Sequence, residues 1–237
     1  SGTKSTFERN PGSVAYGDFY LDNLTPNTTY YVRAYATNSA GTGYGDQVSF
    51  TTKAGVTGTV TDIEGNTYNT VTIGTQVWMA ENLKTTKYRN GDPIPNVTAA
   101  ATWATSNSGA YCWSNNDEAT NKATYGALYN WYAVADSRNI APTGWHVPTD
   151  AEWTTLTTYL GGEGVGGGKL KETGTSHWLS PNTGATNSSG FTGLPGGNRG
   201  SNGSFDGIGT NGFWWIATEF SPTLAWYRTL LYSNGSI

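Results

Sequence analysis

The sequence predicts an α+β chain: an all-β part comes first, and a part with two helices, a small twisted sheet and long loops follows. Three observations predict it. Apolar and polar residues alternate at period two before residue 53, two segments at 123–136 and 149–160 carry apolar residues at helical spacing, and after Gly168 loops rich in Gly, Asn and Ser separate short aromatic strands.

Residues 18–24 (DFYLDNL), 29–37 (TYYVRAYAT) and 47–52 (QVSFTT) read as strands, with turns at Thr25-Pro26-Asn27 and Asn38-Ser39-Ala40-Gly41. Alternation in the middle strand puts Tyr31, Arg33 and Tyr35 on one face and Tyr30, Val32, Ala34 and Ala36 on the other. Lys53-Ala54-Gly55 reads as a linker, and from Val56 hairpin strands turn at Glu64-Gly65-Asn66 and Gly74-Thr75. Residues 123–136 (ATYGALYNWYAVAD) are predicted as one helix, with Tyr125, Leu128, Tyr129 and Tyr132 at helical spacing. Residues 149–160 form the second, opened by Thr149 with Glu152 three residues on, a capping box, and closed at Gly161-Gly162. Trp153, Leu156 and Leu160 share one face of it. The last predicted strands are 212–217 and 225–232.

The chain of 237 residues is long enough for one large or two small domains. Only 36% of it is hydrophobic, yet it holds 10 Trp and 15 Tyr, so the core must be aromatic. Trp78, Trp131, Trp145, Trp153 and one of Trp214 and Trp215 are expected there. With 13 basic against 17 acidic residues and a net charge of -4, no basic stripe exists to neutralise phosphates, which excludes nucleic acid as a partner. No apolar run approaches the roughly 20 residues of a membrane span. The first residues lack the apolar segment of a signal peptide, so any export signal is expected outside this stretch. Cys112 is the one cysteine, which rules out an intrachain disulfide and a four-thiolate zinc site.

LTPNTTYYVRAYATNSAGTGYGDQVSFTT, residues 24–52, resembles the later strands of a fibronectin type III domain. About half of such a domain is present, and half a sandwich leaves an open strand edge. Five further blocks, 65–91, 125–134, 142–153, 190–205 and 212–232, resemble the Fibrobacter succinogenes major paralogous domain, an exported family common in Bacteroidota and Fibrobacterota. That family is similar to the C-type-lectin-like fold of sulfatase-modifying factors. The resemblance implies a partial fibronectin type III-like β domain at 1–53, a linker at 54–57 and a lectin-like domain at 58–237 that ends before the final strand of its relatives. Low charge with abundant Thr, Asn, Gly, Ser and Tyr adds the texture of a bacterial secreted surface protein, and the expected source is Bacteroidota-like. The expected location is extracellular or at the cell surface.

The lectin-like relatives include an oxidase that needs two redox-competent cysteines, and Cys112 has no partner. His146 stands before the capping box and His177 in a loop beside Trp178. Neither is placed beside a nucleophile by the sequence, so no catalytic residue is assigned. Asp117 and Asn121 in one segment, and Asp206 and Asn211 in another, form the oxygen-rich Gly-containing loops that suit Ca2+, although the EF-hand spacing and the sugar-binding tripeptides of C-type lectins are absent. Calcium, where bound, is expected to order a loop. No other cofactor is implied.

Aromatic side chains with polar tips stack on sugars and anchor protein interfaces. Tyr111, Trp113, Trp178, Trp226, Tyr227, Arg228 and Tyr232 are the candidate ligand-binding residues, with Trp226 and Arg228 on one strand face and Tyr227 and Thr229 on the other. The expected function is non-catalytic adhesion or recognition of a glycan or a surface protein. A subunit of an extracellular filament, self-associating through intermolecular β-contacts, is the alternative, and a sulfatase-modifying-factor-like enzyme ranks last.

Overall fold

The computed structural model describes residues 28–52, 56–221 and 224–237. The expected strand at 18–24 and the linker residues Lys53-Ala54-Gly55 lie outside them.

Residues 28–52 hold strands and no helix. The single strand expected at 29–37 is two strands, β1 (Thr29–Val32) and β2 (Tyr35–Asn38), because the partner changes at Arg33-Ala34. β1 pairs antiparallel with β4 (Val48–Thr51), and β2 turns through Ser39-Ala40 into β3 (Gly41–Tyr44). Register places Tyr30 opposite Phe50, their rings stacked 6.0 Å apart, and Val32 opposite Val48. Arg33 covers the Tyr44 ring at 4.2 Å.

β5 (Val56–Thr61), β6 (Thr67–Ile73) and β7 (Gln76–Met79) form a meander, and both of its turns fall where the sequence puts them. Asp62 shapes the first turn, accepting from the backbone N–H groups of Glu64 and Asn66 and from the Tyr68 hydroxyl at 2.6 Å. Gly74, at φ 62°, makes the second turn in two residues.

The helix expected at 123–136 is corrected. α1 (Ala100–Ala104) precedes β8 (Tyr111–Trp113), and α2 (Glu118–Tyr125) then stops at Gly126, where φ is 69° and a Cβ would stand 2.6 Å from the Leu83 carbonyl. The next residues extend as β9 (Ala127–Tyr129) to pair with β8, and α3 (Trp131–Val134) restarts under an Asn130 cap. α4 (Asp150–Tyr159) has the predicted capping box, with Glu152 Oε2 accepting from the Thr149 N–H at 2.8 Å. Trp153, Leu156 and Leu160 are buried, as their shared face requires.

α5 (Glu163–Leu170) is a helix the sequence hides, since four of its eight residues are glycine. Gly166, Gly167 and Gly168 are buried, and other backbone lies against the last two: a Cβ on Gly167 would meet the Ser236 carbonyl oxygen at 2.0 Å, and one on Gly168 the Gly184 carbonyl oxygen at 2.2 Å. The C-terminal residues thereby dock on the helix, and Ile237 donates its N–H to Glu163. Beside them Lys171 is fully buried, its Nζ donating to the carbonyls of Thr183, Leu231 and Asn234 at 2.8–2.9 Å. Three acceptors use the three N–H groups of an ammonium.

The last sheet runs β11 (Phe205–Ile208), β10 (Gly196–Arg199), β12 (Asn211–Ser221), β13 (Leu224–Leu231). Ile216 and Leu230 point from it into the main core with Trp78, Trp153, Leu156 and Leu170, and Trp214 packs against that cluster. Trp131 and Trp145, expected in the core, are only half-buried. The architecture is mixed α+β, several small sheets joined by long loops and a few short helices. None of the helices among the described residues is long and apolar enough to cross a membrane.

Candidate functional site

A cleft of about 960 Å³ opens where β12 and β13 meet the loop 140–148, the loop after β7, the end of α2 and the 191–199 segment. Its walls are aromatic. Trp78, Trp145, Trp214, Trp215, Phe213 and Tyr227 all line it. β12 presents Phe213 and Trp215 on the face where β13 presents Tyr227, opposite Trp215 in register, while Trp214 sits on the face toward the core. Phe213 and Tyr227 meet edge to face at 5.4 Å. The indoles are pinned: Trp215 donates to the Tyr129 carbonyl at 2.8 Å, and Trp214 donates to Asn82 Oδ1 at 3.1 Å.

One corner of the cleft is polar. His177 Nδ1 lies 2.9 and 3.0 Å from the two oxygens of Glu172, and its ring meets Tyr125 edge-on at 5.9 Å. A carboxylate on Nδ1 fixes the imidazole orientation and leaves Nε2 as the outward nitrogen. Tyr125 packs on Gly196 of β10, where a Cβ would come within 3.3 Å of it, and Asn198 follows two residues along that strand. Burial and the charge of Glu172 raise the Tyr125 phenol above its ordinary value, so the group stays a neutral donor. At the opposite end His146 pairs with Glu152 at 2.8 Å. Burial works to raise the Glu152 carboxyl, but the bonds from Thr149 and His146 outweigh it and hold the group below the ordinary carboxylate value.

The expected ligand residues divide. Tyr111, Trp113 and Trp178 are 8%, 2% and 1% exposed, so they are core residues and no ligand can stack on them. Trp178 spends its indole N–H on the Gly193 carbonyl. Arg228 is held in ion pairs with Asp150 at 2.8 Å and Glu163 at 3.1 Å, tying β13 to the starts of α4 and α5. Tyr232 packs against the main core. Trp226 is 50% exposed but lies away from the cleft, edge-on to Phe220 at 4.8 Å, whereas Tyr227, 53% exposed, stands on the cleft wall. Sequence reasoning missed Tyr125 and Asn198 as lining residues, and it gave His177 no role.

The expected calcium residues are also redistributed. Asp117 caps α2 by accepting from the Thr120 N–H, and Asn121 is buried, donating to the Ser114 carbonyl. The two segments do meet, through Asn115 and Asp206 on a small cavity of about 330 Å³, and Asp206 is the one carboxylate there. Of the two expected calcium segments, the first thus has Asp117 and Asn121 engaged in bonds to its own backbone, and the second places Asp206 on the small cavity. Among the described residues no three His, Cys, Asp or Glu side chains converge on one point. Cys112 is fully buried, and burial pushes its thiol above the ordinary value.

No curated protein and no solved structure matches the chain. The family model described as the Fibrobacter succinogenes major domain matches residues 71–236, the part that carries the cleft. Its named organism belongs to the Fibrobacteres, and the Bacteroidota-like source expected alongside the family resemblance is corrected accordingly. With most of its length, from β6 to the C-terminal segment, covered by that match, the chain belongs to the Fibrobacter succinogenes major domain family.

Proposed function

We propose that this chain is a non-catalytic extracellular recognition module that holds a glycan in the aromatic cleft. The observation that carries the reading is the cleft wall itself, where Trp145, Trp214, Trp215 and Tyr227 line one concavity beside unspent polar groups. Sugar rings offer apolar C–H faces to such rings and hydroxyls to polar tips, and ligand sites are typically apolar concavities with a few placed polar groups. The reading includes a C-type-lectin-like fold for residues 58–237 and a fibronectin-type half-sandwich before it, acting at the cell surface.

Tyr227→Ala tests the site. Its side chain is half exposed, so replacement is expected to weaken binding on a glycan array about 10-fold or more while leaving the melting temperature nearly unchanged. Trp226→Ala, away from the cleft, is expected to leave binding intact. The reverse pattern would move the site to the Trp226 face.

A second reading has its own observation. Tyr31, Tyr35, Tyr44, Val48 and Phe50 are exposed on the short strands of residues 28–52. A strand from a second copy would cover them and supply main-chain bonds, building a filament. Electron microscopy of concentrated protein distinguishes filaments from single particles.

A further inference from the structure

The inference concerns which glycans enter the cleft, and it rests on the recognition reading above. We propose that the cleft takes an uncharged glycan whose hydroxyls are read by Tyr125, His177 and Asn198.

Two independent observations carry this. The first is hydrogen-bonding capacity. Tyr125, His177 and Asn198 line the cleft, and the Tyr125 hydroxyl, His177 Nε2 and the Asn198 side-chain amide make no hydrogen bond among the described residues. Other polar side chains on the same wall are spent: Asn82 bridges Trp214 and the Tyr125 carbonyl, and Gln76 accepts from Trp78 and donates to the Glu152 carbonyl. Three free groups of mixed character, a phenol, an imidazole nitrogen and an amide, can both donate to and accept from sugar hydroxyls. Their scaffold is fixed, since Glu172 aims the imidazole, Gly196 seats Tyr125, and Asn182 holds the Glu172 loop through bonds to the carbonyls of Glu172 and Gly174.

The second observation is charge. Lys84, His146 and His177 on the lining each sit against a carboxylate, and Arg199 directs three of its five N–H groups to backbone carbonyls. Arg199 donates from Nε, Nη1 and Nη2 to the carbonyls of Gly203, Val97 and Thr98. Lys84 lies 3.9 Å from Glu81, His146 pairs with Glu152, and His177 pairs with Glu172. An entering carboxylate or sulfate would have to compete with Glu81, Glu152 and Glu172 for Lys84 and the two histidines and with three carbonyls for Arg199, and would meet the carboxylates of Glu81 and Glu152 on the same lining. Burying an unpaired anion is strongly unfavourable, so acidic sugars are discriminated against.

Calorimetric titration of the full chain with cello-, xylo- and mannohexaose on one side, and with oligogalacturonate and chondroitin sulfate hexasaccharides on the other, tests the proposal. At least one neutral sugar is expected to bind and both acidic ones to fail. Tyr125→Phe and Asn198→Ala are each expected to weaken that binding about 5- to 10-fold, with an unchanged melting temperature. Binding by an acidic sugar in preference to the neutral ones overturns the proposal but keeps the glycan reading. Neutral binding that neither variant weakens does the same. Failure of every sugar overturns both.

Discussion

Trp214 and Tyr125, far apart in sequence, are joined through one side chain: Asn82 accepts the Trp214 indole N–H at 3.1 Å and donates its amide to the Tyr125 carbonyl at 3.0 Å. The aromatic wall of the cleft and its polar corner are thus locked to each other. Asn82→Ala would leave the half-buried indole N–H unpaired and free Tyr125. The expected cost is about 1 to 2 kcal/mol in chemical denaturation, together with weaker ligand binding. Unchanged stability would show that the bridge carries no weight.

The capping box is the cleanest local test. Thr149→Ala removes the hydroxyl that accepts from the Glu152 N–H at 3.3 Å, and should cost about 1 kcal/mol in unfolding free energy. The Glu152 carboxyl is held below the ordinary value of 4.5, so the fold binds this proton less readily than the unfolded chain. Its contribution is therefore full above that value and lost as pH falls through the folded pKa. A Glu152→Gln variant should show less of this acid loss.

Gly167→Ala tests the docking of the C-terminal segment. The added Cβ would collide with the Ser236 carbonyl, a backbone atom that cannot rotate away. A loss of about 1 to 3 kcal/mol is expected, with early hydrogen exchange at residues 232–237. Ordinary stability with protected exchange would mean that the segment shifts freely.

Lys171 gives a pH signature. Burial brings its ammonium down to about 8 from the ordinary 10.5, so the unfolded chain binds the proton more tightly than the fold does. Stability is then expected to rise from pH 7.5 toward pH 9. Above that, Tyr68, Tyr88, Tyr111, Tyr125 and Tyr129, whose phenols burial pushes up from the ordinary 10, keep protons that the unfolded chain releases, and stability falls. Denaturation series at pH 7.5, 8.25 and 9 should show the rise. Lys171→Met should flatten it and, by orphaning three carbonyls, destabilise the protein at every pH.

Where a signal is local, the sequence was readable. Thr149 and Glu152 announce a helix start within four residues, and Gly74-Thr75 announces a two-residue turn. Gly126 was not readable, because the backbone that leaves no room for a Cβ there is the Leu83 carbonyl, forty-odd residues away. α5 was hidden for a related reason: glycine is a poor helix former, and only the approach of Ser236 to Gly167 and of Gly184 to Gly168 calls for it there. Alternation correctly separated Trp226 from Tyr227 but could not say which face meets the cleft. With tryptophans on both sides of the fold, Trp113 and Trp178 looked as available as Trp226, and only packing put them inside. The polar corner draws on α2, β10 and the 172–177 loop, so no window of sequence contains it.

The central claim is that ligand meets the cleft wall, and indole N–H signals read it directly. The ten tryptophans give separate reporters when the protein is labelled with 15N. On adding a neutral oligosaccharide that binds, the signals of Trp214 and Trp215 are expected to move, while those of Trp113 and Trp178 stay fixed. Shifts confined to Trp226, or a spectrum in which Trp214 and Trp215 do not respond to bound sugar, would contradict the account.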